Sequence, residues 1–150
     1  MNEGWERGKI MLTPINFFME NMMIQYNNFL KNKIGKLDVS VGDLIYMFLI
    51  FYHSPLSQKE LADLLYFSEA GIAKKLHKLE DNGLITKTID PNSRNKNIIA
   101  LSKKGEESFA QIMGYSIEWE QKIMESSDIE DYEKFKELLY KASEKSLRLN

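Results

Sequence analysis

The chain has 150 residues, is 43% hydrophobic and carries a formal net charge of −2. Its length fits one domain or one compact protomer. Because the net charge is negative, the chain as a whole is not a basic nucleic-acid-binding protein. It has no Cys and two His, which excludes disulfides and thiol-based sensing and makes a structural zinc site unexpected. We therefore predict no metal and no cofactor.

The sequence also bears on localisation. Charged residues occupy the N-terminus with no apolar segment after them: Glu3, Glu6, Arg7 and Lys9. No secretory signal is therefore predicted. The longest strongly apolar run, residues 44–52, is too short to span a bilayer, so we expect a soluble cytoplasmic protein with no membrane partner.

Two helices are predicted in the first third of the chain. Residues 1–12 are expected to be loosely ordered, and Thr13-Pro14 favours a helix start that leads to about residue 34. Ser40 and Asp43 form a capping box, after which a helix should run to about Tyr52. That helix is apolar nearly all round, which predicts burial among other elements.

The next stretch predicts a short helix with a strong start signal. Ser57 and Glu60 form an S-x-x-E capping box, flanked by Leu56 and Leu61 as a hydrophobic staple. An apolar stripe follows at Leu61, Leu64 and Leu65.

A second short helix follows a tight link. Ser68 is a good N-cap, Gly83 a good helix stop, and the spacing of the apolar residues between them indicates one buried face. That face consists of Ile72, Leu76 and Leu79. Three lysines fall off it: Lys74, Lys75 and Lys78.

A hairpin comes next. Residues 85–89 alternate between apolar and polar, which predicts a half-buried strand. Residues 90–93 form a turn cluster. Residues 97–101 are rich in β-branched side chains, which predicts the returning strand. Arg94, Asn95 and Lys96 are expected at the tip. Helix, turn, helix and hairpin together predict a winged helix-turn-helix, whose second helix enters a major groove while the tip reaches the backbone or minor groove.

The C-terminal third predicts two more helices. Ser102 is the N-cap of the first, and Ser127 with Glu130 forms a third capping-box pattern. Both helices carry apolar stripes that so small a head cannot cover, which predicts a two-fold homodimer. The predicted fold class is therefore mainly α with a small β-hairpin wing (α+β). Residues 1–150 form a single protomer, with a head at 40–104 and dimerisation helices at 13–36 and 105–150.

The distribution of charged residues matches the division into head and dimerisation helices. Residues 57–104 hold nine Lys and Arg against six Asp and Glu, and the remainder holds eleven against sixteen. A basic head on an acidic body is the pattern expected of a protein that presents one surface to DNA, although chance scatter would give a similar imbalance.

Three short patterns between residues 76 and 105 carry a family resemblance. They are a Leu-Glu-x-x-Gly-Leu helix end, an Asp-Pro turn followed by an arginine, and a Leu-Ser-x-x-Gly re-entry into a helix. The matching residues are Leu79, Glu80, Gly83, Leu84, Asp90, Pro91, Arg94, Leu101, Ser102 and Gly105. Together they resemble the MarR family of bacterial regulators. Ser93 and Asn95 depart from the acidic residue and the second arginine that the family often shows there.

The resemblance implies a set of DNA-binding residues. On the two short helices and the wing these are Ser57, Gln58, Ser68, Glu69, Ala70, Lys74, Lys75, Lys78, Arg94, Asn95 and Lys96. Asp90 is expected to support the wing turn and to pair with Arg94. On their own, the lysines would equally fit an ordinary solvated helix face.

The resemblance also implies a function. It predicts a sequence-specific DNA-binding transcriptional regulator, in the form of a dimeric repressor on a pseudo-palindromic operator. In the family, small aromatic or amphipathic effectors often bind between head and dimer body. The candidate pocket residues are Tyr26, Phe29, Met47, Phe51, Met113 and Ile117, which would equally form an ordinary core.

Two other classes of function stay open at this stage. A winged-helix module that binds protein and does not grip DNA would fit the weak overall charge and the departures at Ser93 and Asn95. A small-molecule carrier or enzyme on a helical dimer is the more distant alternative. No catalytic nucleophile, paired carboxylates or glycine-rich phosphate loop is evident, so an enzyme is not predicted.

Overall fold

The computed structural model describes residues 7–149, apart from the side chains of Arg94 and Asn95. The chain divides into two compact units, one ending at Tyr115 and the next starting at Ser116. The helices are α1 (Arg7–Leu12), α2 (Ile15–Lys31), α3 (Leu44–His53), α4 (Gln58–Leu65), α5 (Glu69–Asp81), α6 (Lys103–Ile123) and α7 (Ile129–Ser146). The strands are β1 (Leu56–Ser57), β2 (Ile85–Asp90) and β3 (Ser93–Leu101), and a 3₁₀ turn, Val41–Asp43, precedes α3. The predicted mainly α fold with a small wing is confirmed.

The start of the chain differs from the prediction. Residues 7–12 form α1 and are not loose, while residues 1–6 lie outside the described residues. The helix closes on Thr13, whose backbone N–H and hydroxyl both donate to the carbonyl of Lys9. These side-chain and backbone bonds satisfy a carbonyl that would otherwise lack a partner at the helix end.

The wing belongs to a three-stranded antiparallel sheet in the order β1-β3-β2. Leu56 pairs with Ile99 and Ile85 with Leu101. The prediction of two strands missed β1, because two residues are too few to show any alternation. The turn is also tighter than predicted. Asp90 pairs with Ser93, so residues 94–96 lie on β3 instead of at the tip.

The core of the first unit is formed mainly by α3, α4, α5 and the sheet. The predicted stripe of α5 is confirmed, since Ile72, Leu76 and Leu79 are fully buried. The stripe of α4 is shifted, because Ala62 is buried while Leu64 is 40% exposed. The burial predicted for α3 is wrong on one side of that helix. Tyr46, Met47 and Ile50 are buried, whereas four other large side chains are about half exposed: Ile45, Phe48, Phe51 and Tyr52.

The two glycines of the family pattern have structural roles. Gly83 adopts φ +70° just after α5, a conformation that other residues rarely accept. A Cβ on Gly105 would lie 2.0 Å from the carbonyl oxygen of Leu84. The Ser102 backbone N–H donates to that same carbonyl at 3.0 Å. This contact joins the end of the wing and the start of α6 to the end of α5.

The second unit contains the end of α6 and all of α7. Asp128 caps α7 by accepting from the backbone N–H of Asp131 at 2.8 Å, so the capping box predicted at Ser127 and Glu130 is wrong by one residue. Within this unit, Glu120 accepts hydrogen bonds from the Tyr132 hydroxyl and, at 2.7 Å, from Lys136. No residue of α7 is buried.

Candidate nucleic-acid interface

The N-terminal end of α5 is exposed and rigidly built. Ser68 caps it as predicted, with its hydroxyl accepting from the backbone N–H of Gly71 at 3.0 Å. Gln58 on α4 donates from Nε2 to the backbone carbonyl of Glu69 at 3.1 Å. The side chains of Ser68, Glu69 and Ala70 are all exposed. This is the end of a recognition helix that meets base edges in helix-turn-helix proteins.

The outward face of α5 continues with two lysines. Lys74 and Lys78 lie opposite the buried stripe and are exposed, and neither makes an ion pair within the described part of the chain. A shallow depression of about 550 Å³ runs along this side of the helix. It is lined by Tyr46, Gly71, Lys74, Lys75, His77, Lys78, Asp81 and Asn82. The helix thus presents exposed positive charge beside a concave surface.

The third lysine, Lys75, has a different environment from the one predicted. Its Nζ lies 2.7 Å from Oδ1 of Asp43, whose side chain is completely buried at the start of α3. Because this contact neutralises the lysine, Lys75 does not belong with the solvated cations of the helix. The predicted DNA contact of Lys75 stays a prediction, and its ion pair distinguishes it from Lys74 and Lys78.

The Asp43 carboxylate is held in its charged form. Burial alone would raise its pKa, but hydrogen bonds from Lys75 and Ser40 outweigh that effect and bring the pKa below the ordinary value of 3.8. The Ser40 backbone N–H donates to Oδ2 at 2.7 Å. Asp43 was predicted as a helix cap alone. Its ion pair was missed because Lys75 lies 32 residues further along the chain.

The first helix of the motif contributes less surface than predicted. Ser57 is 5% exposed, and its hydroxyl both donates to the Glu60 carboxylate and accepts from the Glu60 backbone N–H. These hydrogen bonds from Ser57 lower the pKa of Glu60. Ser57 therefore forms the predicted capping box, and its DNA contact stays a prediction. Gln58 is half-buried and positions the start of α5.

The wing brings charged groups onto β2 and β3. Lys96 lies 3.5 Å from Glu60, and Lys87 lies 3.3 Å from Glu80 at the end of α5. Asp90 supports the turn, as predicted, by accepting from the Asn92 backbone N–H at 2.8 Å. The side chains of Arg94 and Asn95, including the predicted Asp90–Arg94 pair, lie outside the described residues.

The six residues predicted as an effector pocket do not share one environment. Met47 is fully buried, and Tyr26, Phe29 and Met113 pack against the core. Phe51 is half exposed, with its ring centroid 4.9 Å from that of Phe109. Ile117 is exposed and belongs to the second unit. None of the six lines the depression along α5.

Comparison with known proteins gives one consistent result. A model of the MarR family matches residues 40–96. The HTH-type transcriptional regulator BilQ of Clostridium symbiosum (strain WAL-14163) is 28% identical over 113 residues, which cover 75% of this chain and 78% of that protein.

Solved structures share the fold. A crystal structure of MarR superposes with a TM-score of 0.81 at 20% identity, covering 98% of this chain and 97% of that one. A putative MarR family transcriptional regulator from Listeria monocytogenes, solved in complex with a 26mer DNA, gives 0.76 at 18% identity and 89% coverage of both chains.

The fold and the exposed second helix define a winged helix-turn-helix protein. Residues 40–96 match the MarR family model, and the chain shares the fold of solved MarR-family structures. The family and these relatives are transcriptional regulators rather than enzymes. Within residues 7–149, no helix is long and apolar enough to cross a bilayer.

Proposed function

We propose that this chain is a cytoplasmic, dimeric repressor that binds DNA sequence-specifically, with α5 of each protomer in the major groove. The observation that carries the proposal is the outward face of α5. It combines a capped, exposed N-terminal end at Ser68–Ala70 with two exposed lysines, Lys74 and Lys78. Side chains at the N-terminal end meet base edges, and lysines further along neutralise phosphates.

The wing would provide the second contact. Arg94, Asn95 and Lys96 follow the turn at the start of β3, a position from which a wing reaches the minor groove or the backbone. An arginine there would respond mainly to groove width and charge instead of base identity. The putative MarR family regulator from Listeria monocytogenes was solved with a 26mer DNA, which supports DNA as the partner.

A second copy of the chain would complete the fold at its ends. In the first unit, α1 and α2 expose many large apolar side chains, among them Met11, Leu12, Ile15, Phe17, Met23 and Ile24. In the second unit, α7 exposes Phe135, Leu138, Leu139 and Tyr140. Residues 13–36 and 105–150 are accordingly proposed as dimerisation segments around the head at 40–104. Two heads would then read half-sites about one helical turn, roughly 10 bp, apart.

A small aromatic or amphipathic ligand is proposed as the releasing effector. Supporting this are the half-exposed ring of Phe51 and the partly buried Met113, since methionine adapts readily to varied ligands. Titrating such compounds into the protein–DNA complex tests it, with release of the duplex as the expected result. Equal DNA affinity with and without every compound would remove the effector from the proposal.

The experiment that tests DNA binding starts from a random duplex library. Enrichment by the unmutated protein should give a pseudo-palindromic sequence, to which binding falls steeply with salt. If about eight phosphates are neutralised per dimer, the slope of log K against log[salt] is near −7. Lys74→Gln/Lys78→Gln should flatten that slope. No duplex binding at low salt would contradict the proposal and favour a winged-helix module that binds protein.

A further inference from the structure

The recognition helix α5 is attached to the rest of the head at three levels. At its start, Gln58 holds the Glu69 carbonyl. In its middle, Lys75 holds Asp43. At its end, Asn82 donates to the Asp38 carbonyl at 3.0 Å. The contacts of Gln58 and Asn82 are neutral hydrogen bonds to backbone carbonyls. The contacts Lys75–Asp43 and Glu80–Lys87 join full charges, but the Asp43 carboxylate is completely buried whereas Glu80 is 40% exposed.

The position of Lys75 around the axis of α5 determines what the middle contact does. Residues 74 and 75 project about 100° apart around a helix. Lys75 therefore lies between the buried stripe at Ile72 and Leu76 and the outward face at Lys74 and Lys78. A charge tied at this flank holds the helix against rotation about its own axis. The buried stripe is apolar, and apolar packing alone specifies the rotation of the helix less strictly than a directional ion pair does.

The pair cannot be exchanged cheaply for a phosphate. Asp43 is completely buried, and its second oxygen is already engaged by the Ser40 backbone N–H. If Lys75 moved to a phosphate, the carboxylate would be left buried without its cation, which is strongly unfavourable. Lys75 is 28% exposed, and its Nζ also lies 6.0 Å from the centroid of the Tyr46 ring. Both features favour its staying in place when DNA binds.

We propose that the Asp43–Lys75 ion pair is a positioning device that sets the rotation of α5, so that Ser68 and Ala70 face the base edges and Lys74 faces a phosphate. In this role Lys75 contributes sequence discrimination to DNA binding and no counterion release. The inference rests on the proposed function. A positioning lysine can be distinguished from an ordinary DNA-binding lysine by measurement. Loss of a phosphate contact changes the salt dependence of DNA binding, whereas loss of a positioning residue changes sequence specificity.

The test compares two neighbouring lysines on one helix. Lys75→Gln and Lys74→Gln are each titrated against the duplex enriched from the random library and against poly(dI-dC), over a range of salt. Circular dichroism and sedimentation confirm that each variant is folded as the unmutated protein is. Lys74→Gln should lower the salt slope by about 0.9 per lysine lost, or about 1.8 per dimer.

Lys75→Gln should leave the salt slope unchanged and lower the ratio of specific to non-specific affinity by about fivefold or more, the loss expected from one displaced base contact. Asp43→Asn should lower that ratio equally, and the double variant no further, because both act through one pair. A drop in salt slope for Lys75→Gln, or additive losses in the double variant, would overturn the inference while leaving DNA binding intact. If the unmutated protein binds no duplex, the proposed function fails and the inference fails with it.

Discussion

The winged head and the last helix, α7, differ in how far their apolar side chains are buried. In the head, Leu61, Ile72 and Leu76 are fully buried within a single copy of the chain. In α7, by contrast, no residue is buried, and Leu138 and Tyr140 are more than half exposed. The head therefore has its own core, whereas α7 has an apolar surface that a second copy would cover. Stability measurements should respond to the first region and association measurements to the second.

The largest effect is expected in the head at Gly105. In Gly105→Ala the new Cβ would meet the Leu84 carbonyl at 2.0 Å, so backbone must shift, at a cost of about 3 kcal/mol or more. Urea unfolding measures this. Gly114→Ala on the same helix is the control, because nothing lies within 4 Å of its Cβ, and it should stabilise the protein by about 0.5–1 kcal/mol. Equal stabilities of the two variants would contradict the packing described here.

Charged substitutions at Leu139 on α7 and at Leu149 just after it should act on association. Leu139 and Leu149 are exposed in one copy, so Leu139→Glu/Leu149→Glu should leave the head folded and yield monomers or insoluble protein. Losing two leucines from an interface costs about 3 kcal/mol or more per protomer. Sedimentation velocity measures the change, with Lys141→Glu as a charged control on the same helix. A stable monomer of the unmutated chain would remove the basis for comparing the two regions.

Within the head, Lys75 and Lys74 should differ in stability as well. Lys75→Met leaves Asp43 buried without a cation, which costs about 3 kcal/mol, the low end of the range for buried pairs because Lys75 is 28% exposed. Lys74→Met changes an exposed side chain and should remain within about 0.5 kcal/mol. Urea titrations of both variants test this. Two equal, small changes would mean that the ion pair contributes nothing to the fold.

The smallest effect is a pH dependence. Because the folded pKa of Asp43 lies below its ordinary value of 3.8, its stabilising contribution is complete above that value and is lost as pH falls through the folded pKa. The unfolding free energies of the unmutated protein and of Asp43→Asn should therefore differ at neutral pH and converge in acid. A difference that stays constant down to the acid transition would rule out this carboxylate as the cause.

The sequence predicts most of the head because its signals are local. Ser57 with Glu60, Ser68, and Asn82-Gly83 each determine a helix end through hydrogen bonds or backbone angles within a few residues. The alternation predicted for β2 is confirmed only at its start, because Ile85 is buried whereas Ile89 is 68% exposed. The same reasoning identified the exposed end of α5, which is the centre of the candidate site.

The features that were missed depend on residues far apart in the chain. β1 exists because Leu56 meets Ile99, and the charge of Lys75 is neutralised because Asp43 is folded against it. The exposed aromatic side of α3 was missed for a related reason. A helix with apolar residues on every side is predicted to be buried on every side. Composition alone does not show whether the elements that cover it belong to the same copy of the chain.

Site-directed cleavage of DNA measures whether α5 lies in the major groove, as we propose. The chain has no Cys, so Ala70→Cys allows a single iron–EDTA tether at the exposed start of α5. On the enriched duplex, this variant should cut the DNA at two major-groove positions about 10 bp apart. Lys145→Cys near the end of α7 is the matched control and should give no localised cleavage. Uniform cleavage from Ala70→Cys, or the same pattern from both tethers, would contradict the account.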